Sequence, residues 1–423
     1  MNSLLIVNGL LRVTDNPLLA KALTHKGVIA YYELNTTPIE LHGIAFPNKG
    51  AASRLFELQS LKDLKLRLQQ LGIPLIISSD GPSKIIELIE THQIKTVYAL
   101  HYSSSEELAL IEPLKNRADL RVVTDHSDLL YDFYKLPFSI SQLPEVFTAF
   151  RKKVERYTSP LPPYQNELVP ASAPIAIQST AIPSLESLGY SSYMIDPRSA
   201  HPFEGGETAG WSRLEHYFWK TRRVATYKQT RNGLHGLDFS SKLSAYIALG
   251  CLSVRSIYDQ LKAFEKSVTQ NEDTYWLFFE LLWREYFKLI GFKHGDQIFK
   301  IEGILNKTYH WNNTKSVFID WINGNTKDSL VNAAMIELKT TGWMSNRARQ
   351  NAASYWSKTL KQDWRVGAYY FQSQLIDYDP QANWGNWCYV SGVGNDPRDR
   401  IFNTARQAEL YDANKTYRRL WNS

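Results

Sequence analysis

Short apolar runs at Leu4–Val7, Val28–Leu34, Leu75–Ile77, Thr96–Leu100 and Arg121–Val123 alternate with helical patterns over the first third of the chain. Each run has strand length. Between the second and third, leucines at 55, 58, 61, 64, 68 and 71 mark one face of a long helix, about Ala51 to Leu71. Gly72 ends it, just ahead of Pro74. Strand–helix–strand order predicts an α/β domain with a doubly wound, parallel, Rossmann-like sheet. No G-x-G-x-x-G or Walker loop follows the first strand, so the usual nucleotide site of such sheets is not announced. From Thr158 to Leu185 the chain is rich in Pro, Ser and Ala, the composition of an extended linker. After Gly205-Gly206 strand signals fade and helical stretches run to the end. The pattern therefore predicts an α/β domain over 1–130, an interdomain linker over 131–200 and an all-α domain over 201–423.

Composition sharpens this little, but it excludes several functions. With 423 residues and 43% apolar content the chain has ample material for real cores. Twelve Trp and 24 Tyr supply large flat surfaces for stacking. A net charge of +6 permits an anionic partner without demanding one. Two cysteines, Cys251 and Cys388, cannot build a disulfide framework or a four-thiolate zinc site, and they suit a reducing, cytoplasmic setting. The apolar N-terminus reads as a strand rather than a signal peptide. No apolar run reaches the length of a membrane span, so no membrane partner is expected. The histidines have no metal-ligand spacing and no nucleophile elbow is present, which leaves hydrolysis by a metal or a triad unsupported.

Candidate chemistry gathers in the helical half. Between Asp363 and Tyr389, Trp364, Trp384, Trp387, Asp377, Asp379, Asn383 and Asn386 fall within 27 residues. Burying indoles beside carboxylates is costly unless each polar group finds a partner. The segment reads equally as a site for a flat, polar, redox-active ligand or as a Trp-rich corner of a core. Glu280, Trp283 and Arg284 stand at i, i+3 and i+4 of an aromatic helix and share a face. They could hydrogen-bond a base edge, stack on it and hold a phosphate; an amphipathic helix with an internal ion pair is the commoner reading. In the helix that follows Thr341, Asn346, Arg349 and Gln350 share a face and Arg347 is rotated away. One arginine can thus meet a buried acid while the other meets solvent or phosphate. Ser240, Ser241, Lys242, Leu243 and Ser244 precede an apolar helix, where hydroxyls and free N–H groups make an anion cradle or an ordinary cap.

In order and spacing, these motifs resemble the photolyase/cryptochrome flavoproteins. The ordered set is Tyr227–Asn232, Ser240–Ser244, Glu280–Arg284, Thr341–Gln350, Asp363–Arg365 and Asp377–Trp387. N-W-G-N-W at 383–387, G-V-G-N-D-P-R at 392–398 and M-S-N-R-A-R-Q at 344–350 resemble the DASH cryptochromes in particular. The resemblance implies a non-covalent FAD inside the helical domain. Tyr227 and Ser240–Ser244 would hold its phosphates and ribityl chain, with Arg284 near the pyrophosphate. Arg349 would pair with Asp377 beside the flavin ring. Asp377, Tyr378 and Asp379 would contact the ring and the adenosine side, and Asn383 would face the central ring nitrogen. Trp387, Trp364 and Trp311 match the family's tryptophan chain, an electron relay from flavin to surface.

The implied activity is light-driven splitting of cyclobutane pyrimidine dimers by a monomeric protein, with Glu280 and Asn383 as catalytic residues. Trp283 and Tyr389 would bracket the flipped-out bases, Asn346 and Gln350 would line the pocket, and Arg347 and Arg398 would meet phosphates. Gln350 and Tyr389 stand where many duplex-repairing relatives carry Met and Trp, which implies a preference for single-stranded DNA. The chain also departs from the pattern. Asn8-Gly-Leu10-Leu-Arg12 lacks the first Arg and the Asp of R-x-D-L-R. Tyr102 stands where a folate-binding Glu is expected, which argues against a folate antenna. Thr326–Asn332 replaces T-G-Y-P-x-V-D. A blue-light receptor without repair activity is the alternative function, and the chain's ending at Ser423 without a signalling tail weighs against it. A six-four photoproduct enzyme is less expected, because no lesion-pocket position is His.

Overall fold

The computed structural model of the chain describes residues 1–165 and 167–423. Its strands are β1 (Asn2–Ile6), β2 (Gly27–Glu33), β3 (Ile39–Leu41), β4 (Ile44–Phe46), β5 (Leu75–Ser78), β6 (Ile94–Leu100) and β7 (Arg121–Asp125). Five of them form a parallel sheet in the order β5-β2-β1-β6-β7. The period-2 alternation sends Leu5 and Ala30 to one side and Leu4, Ile6, Ile29 and Tyr31 to the other. On the first side they meet Leu61, Leu64 and Leu68 of the Ala51–Gln70 helix. On the second they meet Ile85, Leu88 and Ile89 of the Pro82–Thr91 helix. Both faces are covered, as a parallel sheet requires.

The remaining strands, β3 and β4, form an antiparallel hairpin that the apolar pattern does not announce. Its turn places His42 at φ 55° and Gly43 at φ 70°, the mirror-image geometry of two-residue hairpins. The hairpin carries His42 Nε2 to within 2.9 Å of Asp363 in the helical half.

The 131–200 stretch is not featureless. It contains a helix, Phe147–Tyr157, and then runs in extended form along the sheet. There the N–H groups of Ala171, Ala173 and Thr180 donate to the carbonyls of Leu71, Lys26 and Leu75. Beyond Gly205 the regular structure is helical.

The two halves meet where the strand order reverses, between β1 and β6, the crevice in which such sheets commonly seat ligands. Gly250, at φ +72°, packs so tightly that a Cβ there would lie 1.9 Å from the Gly9 carbonyl oxygen. Buried Arg12 donates to the carbonyls of Gly250, Asp15 and Ser127, so the one arginine left of the altered N-terminal motif is satisfied by main chain alone. Glu285 accepts the N–H groups of Leu130 and Tyr131, and Arg255 donates to the Leu129 carbonyl. Tyr102 donates its hydroxyl to the Asn8 carbonyl at 3.1 Å. In the altered 326–332 segment, Asp328 caps the Ser329–Thr341 helix through the N–H groups of Leu330 and Val331. Among the described residues no helix is long and apolar enough to cross a membrane.

Candidate functional site

A cavity of about 800 Å³ opens within the helical half. The long Glu272–His294 helix forms one wall, set by an Asn271–Thr274 capping box at its start. Helical spacing puts Glu280, Trp283 and Arg284 on that wall together, as their positions predict. Trp283 lies flat on Phe147 of the linker helix, with ring centroids 3.7 Å apart and planes 8° from parallel. Tyr389 meets its edge at 5.9 Å. Glu280 is ion-paired with Arg231. Burial pushes the Glu280 carboxyl above its ordinary range, and Arg231 opposes the shift without cancelling it.

The second wall is the Asn346–Ser354 helix, capped by Ser345. Its two arginines diverge as expected. Arg349 Nη2 donates to Asp377 at 2.9 Å and its Nε to the Met344 carbonyl at 3.0 Å. The same Asp377 oxygen accepts from Ser244 Oγ at 2.7 Å. Arg347 turns towards Gln350 and Asn232 and lies over the Tyr411 ring. Asn346 is exposed at the mouth, as is Arg398.

Ser240, Ser241, Lys242, Leu243 and Ser244 line the third side with Tyr227. Lys242 is a non-glycine residue at φ +61°, and its buried ammonium sits 3.1 Å from the Phe239 ring centroid and 4.2 Å from that of Trp343. Burial drives its pKa well down, with Glu337 pulling the other way. Burial likewise raises the Glu337 carboxyl to about 8, against the hydrogen bond from Tyr417.

A pH-dependent stability follows from Glu337. The folded state holds this proton in a range where the unfolded chain, at an ordinary carboxylate pKa, has released it. Stability from this group is therefore fully present below about pH 4.5 and is lost as pH rises towards 8. Glu337→Gln keeps the acceptor for Tyr417 and removes the titration. Thermal melts across this range are expected to show the wild type losing ground to Glu337→Gln as pH rises; a constant difference would contradict the assignment.

The fourth side belongs to the Pro380–Ser391 helix. Asp379 caps it by accepting the Ala382 N–H at 3.0 Å, and it pairs with Lys288 at 3.0 Å. Burial raises the Asp379 pKa, but Lys288 and Arg284 outweigh it, and the net shift is downward. Asp379 thus stays charged at the cavity wall.

Two residues of the expected set sit elsewhere. Asn383 is buried behind the wall and donates Nδ2–H to the Ala368 carbonyl, while Asn386, one turn on, lines the cavity. Tyr378 packs against the core and is not among the lining residues. The three tryptophans expected to form a relay show no ring contact with one another among the described residues. Trp364 meets Trp384 at 5.6 Å, and Trp311 meets Tyr309 at 5.6 Å. Trp387 meets Phe371 at 5.0 Å and Trp321 at 6.5 Å.

Sequence reasoning gave no role to Arg231, Phe147 or Arg400. Arg231 lies one helical turn after Tyr227, a spacing that could have marked it. Arg400 donates to the Tyr389 hydroxyl at 2.7 Å, a contact set by a non-helical loop and not readable from periodicity.

The lining suits a large, flat, anionic ligand. Seven arginine and lysine side chains face four carboxylates around it. Asp377 Oδ1 and Arg284 Nε are buried there without a hydrogen-bond partner, and such groups are costly unless a ligand or water completes them. Aromatic rings and serine hydroxyls supply the remaining contacts of an isoalloxazine and a pyrophosphate. The residues present therefore fit FAD. Among the described residues no cluster of His, Cys, Asp and Glu could hold a metal ion.

Comparison with known proteins agrees with this fit. Residues 276–422 match the family described as the FAD binding domain of DNA photolyase, and residues 9–169 match DNA photolyase. Cryptochrome DASH of Danio rerio is 44% identical over 89% of this chain and 74% of its own length. Cryptochrome DASH of Gloeobacter violaceus is 42% identical over 97% of this chain and 83% of its own. Among solved structures, a Synechocystis cryptochrome superposes with a TM-score of 0.90 at 38% identity, covering 99% of this chain and 88% of that one. A bacterial class III photolyase from Agrobacterium tumefaciens gives 0.82 at 25% identity, covering 99% and 86%.

Proposed function

We propose, from the premise that this chain belongs to the photolyase/cryptochrome family and is similar to the DASH cryptochromes, that it splits cyclobutane pyrimidine dimers in DNA by light-driven electron transfer, single strands being preferred. One observation carries the reading. The Asp377–Arg349–Ser244 set suited to a flavin and the Glu280–Trp283–Asn346–Gln350–Tyr389 set suited to a lesion line one continuous cavity. FAD held by Ser240–Ser244, Asp377 and Arg349 would supply the light-driven one-electron chemistry that the dimer's ring opening needs.

The protein's own groups do the rest. Ser240–Ser244, Arg284 and Lys242 bind the cofactor's anionic middle. Asp377, held by Arg349 and Ser244, fixes the orientation of the ring. Trp283 offers a base-stacking surface, kept flat by Phe147 behind it. Glu280, whose pKa burial raises against the pull of Arg231, stands where its carboxyl can meet the dimer once Arg231 turns to a phosphate. Arg347 and Arg398 stand at the rim for the flanking backbone. Trp387, Trp364 and Trp311 would return the cofactor to its reduced form.

Two features favour single-stranded substrate. Tyr389 is tied to Arg400 and Gln350 to Arg347, which leaves a smaller apolar platform to offset the cost of unstacking. The test is illumination of the reduced, flavin-loaded protein with a dimer-containing oligonucleotide, single-stranded and duplex. Dimer loss, faster on the single strand, is expected. Bound flavin with no dimer loss on either substrate would turn the assignment to a blue-light receptor, and equal rates would remove the strand preference.

A further inference from the structure

We propose that Trp321 and Trp356 form a buried electron-donor branch that leaves the relay at Trp387, separate from the route through Trp364 and Trp311. The inference rests on the flavin photochemistry proposed above. Electron exchange between rings falls steeply with the gap between them, so ring contacts mark the favoured steps. Trp387 touches Trp321 with centroids 6.5 Å apart, and Trp321 lies against Trp356 at 4.7 Å and 32°. Phe371 stacks on Trp321 within 4° of parallel and also meets Trp387, which closes the gap with a third ring.

The pair is built, not incidental to a loop. Trp321 comes from the Lys315–Ile322 helix. Trp356 comes from a π-helical turn, Tyr355–Thr359, that extends the Asn346–Ser354 helix. Such turns add a residue to a helix and re-aim its side chains, and they recur at functional sites. The apolar pattern of the sequence does not predict this turn.

Both indoles are buried, at 0% and 1% exposure. Trp356 Nε1–H donates to the Asp363 carbonyl at 2.9 Å, and Trp321 Nε1–H has no partner. Neither proton faces a base or solvent. When Trp387 has given an electron to the photoexcited oxidised flavin, Trp321 passes one to Trp387. Trp387 is then neutral, and the positive charge rests on two overlapping indoles that can share it. No bond forms or breaks, and no proton leaves. The step reverses when the electron returns along the same rings, so no outside reductant is needed. The branch is a reservoir that holds charge apart, and it hands the charge back through Trp387 to the Trp311 route.

The test uses the flavin-loaded full chain in its oxidised form and flash spectroscopy. With the outward route cut by Trp364→Phe, a flash is expected still to give an indole radical cation that decays without losing its proton. Adding Trp356→Phe is expected to shorten its lifetime roughly tenfold. Trp321→Phe, which breaks the branch from the other ring, is expected to do the same. Equal lifetimes with and without the pair would overturn the branch while leaving the flavin reading intact. A protein that binds no flavin would overturn both. A readout without flavin is near-ultraviolet circular dichroism of the cofactor-free chain. Signal from the close Trp pair is expected to fall in Trp356→Phe; an unchanged spectrum would overturn the pair geometry.

Discussion

Arg349→Leu is expected to yield a folded protein that no longer retains flavin and melts at a lower temperature. Asp377 is buried, with side-chain exposure of 3%, and its bonded oxygen has two donors, Arg349 and Ser244. Removing the arginine leaves a buried carboxylate with one hydroxyl for support. Breaking a buried pair from one side costs about 3–5 kcal/mol, and the partial exposure of Arg349 places this case at about 3 kcal/mol. The loss reaches function because Asp377 lines the cavity and its other oxygen is buried there without a hydrogen-bond partner. Arg349→Lys keeps the charge but cannot reach Asp377 and the Met344 carbonyl together, so an intermediate loss is expected. The ratio of flavin to protein absorbance after desalting, read beside a thermal melt, checks both variants. Full flavin retention in Arg349→Leu would remove Asp377 and Arg349 from the cofactor site.

The parts of this site that were legible in the sequence were those set by helical spacing. Glu280, Trp283 and Arg284 share a face because i, i+3 and i+4 must, whatever they bind. The divergence of Arg347 and Arg349 follows from the same geometry. The parallel sheet was equally open to reading, since strand-length apolar runs alternating with helices leave few topologies. What escaped depended on tertiary contact or on turns that break the period. The β3–β4 hairpin turns on His42-Gly43, which lacks the familiar Asn-Gly or Asp-Gly signature. Arg231 reaches Glu280 across 49 positions of sequence. Asn383 sits in the matching motif, yet its amide is taken by the Ala368 carbonyl, and no local pattern predicts that partner. The π-turn that aims Trp356 at Trp321 shifts the helical register, so spacing rules fail where the second tryptophan pair is made. Trp384, for which spacing suggests no role, sets its ring edge-on against Trp364.

Glu280→Gln is expected to leave flavin content and folding unchanged and to cut dimer repair per absorbed photon by roughly tenfold to a hundredfold, the loss of one charge-assisted hydrogen bond. The reason lies in the ion pair that Glu280 makes in the free protein. Burial and Arg231 act on this carboxyl in opposite senses, and burial prevails. Were a phosphate to draw Arg231 away, its downward pull on the pKa would go with it, and the upward push of burial on this carboxyl would no longer be opposed by that arginine. Glutamine offers an N–H in the same place, but a weaker donor that cannot strengthen as charge builds on the dimer. Arg231, freed from its partner, stays available to the backbone, so binding to undamaged single-stranded DNA is expected to hold steady or tighten. A rate loss without a binding loss is the signature of a group that acts on the reacting base. Weaker binding with an unchanged yield per bound dimer would instead make Glu280 a docking residue. Repair by Glu280→Gln at the wild-type yield would take Glu280 out of the lesion contact altogether.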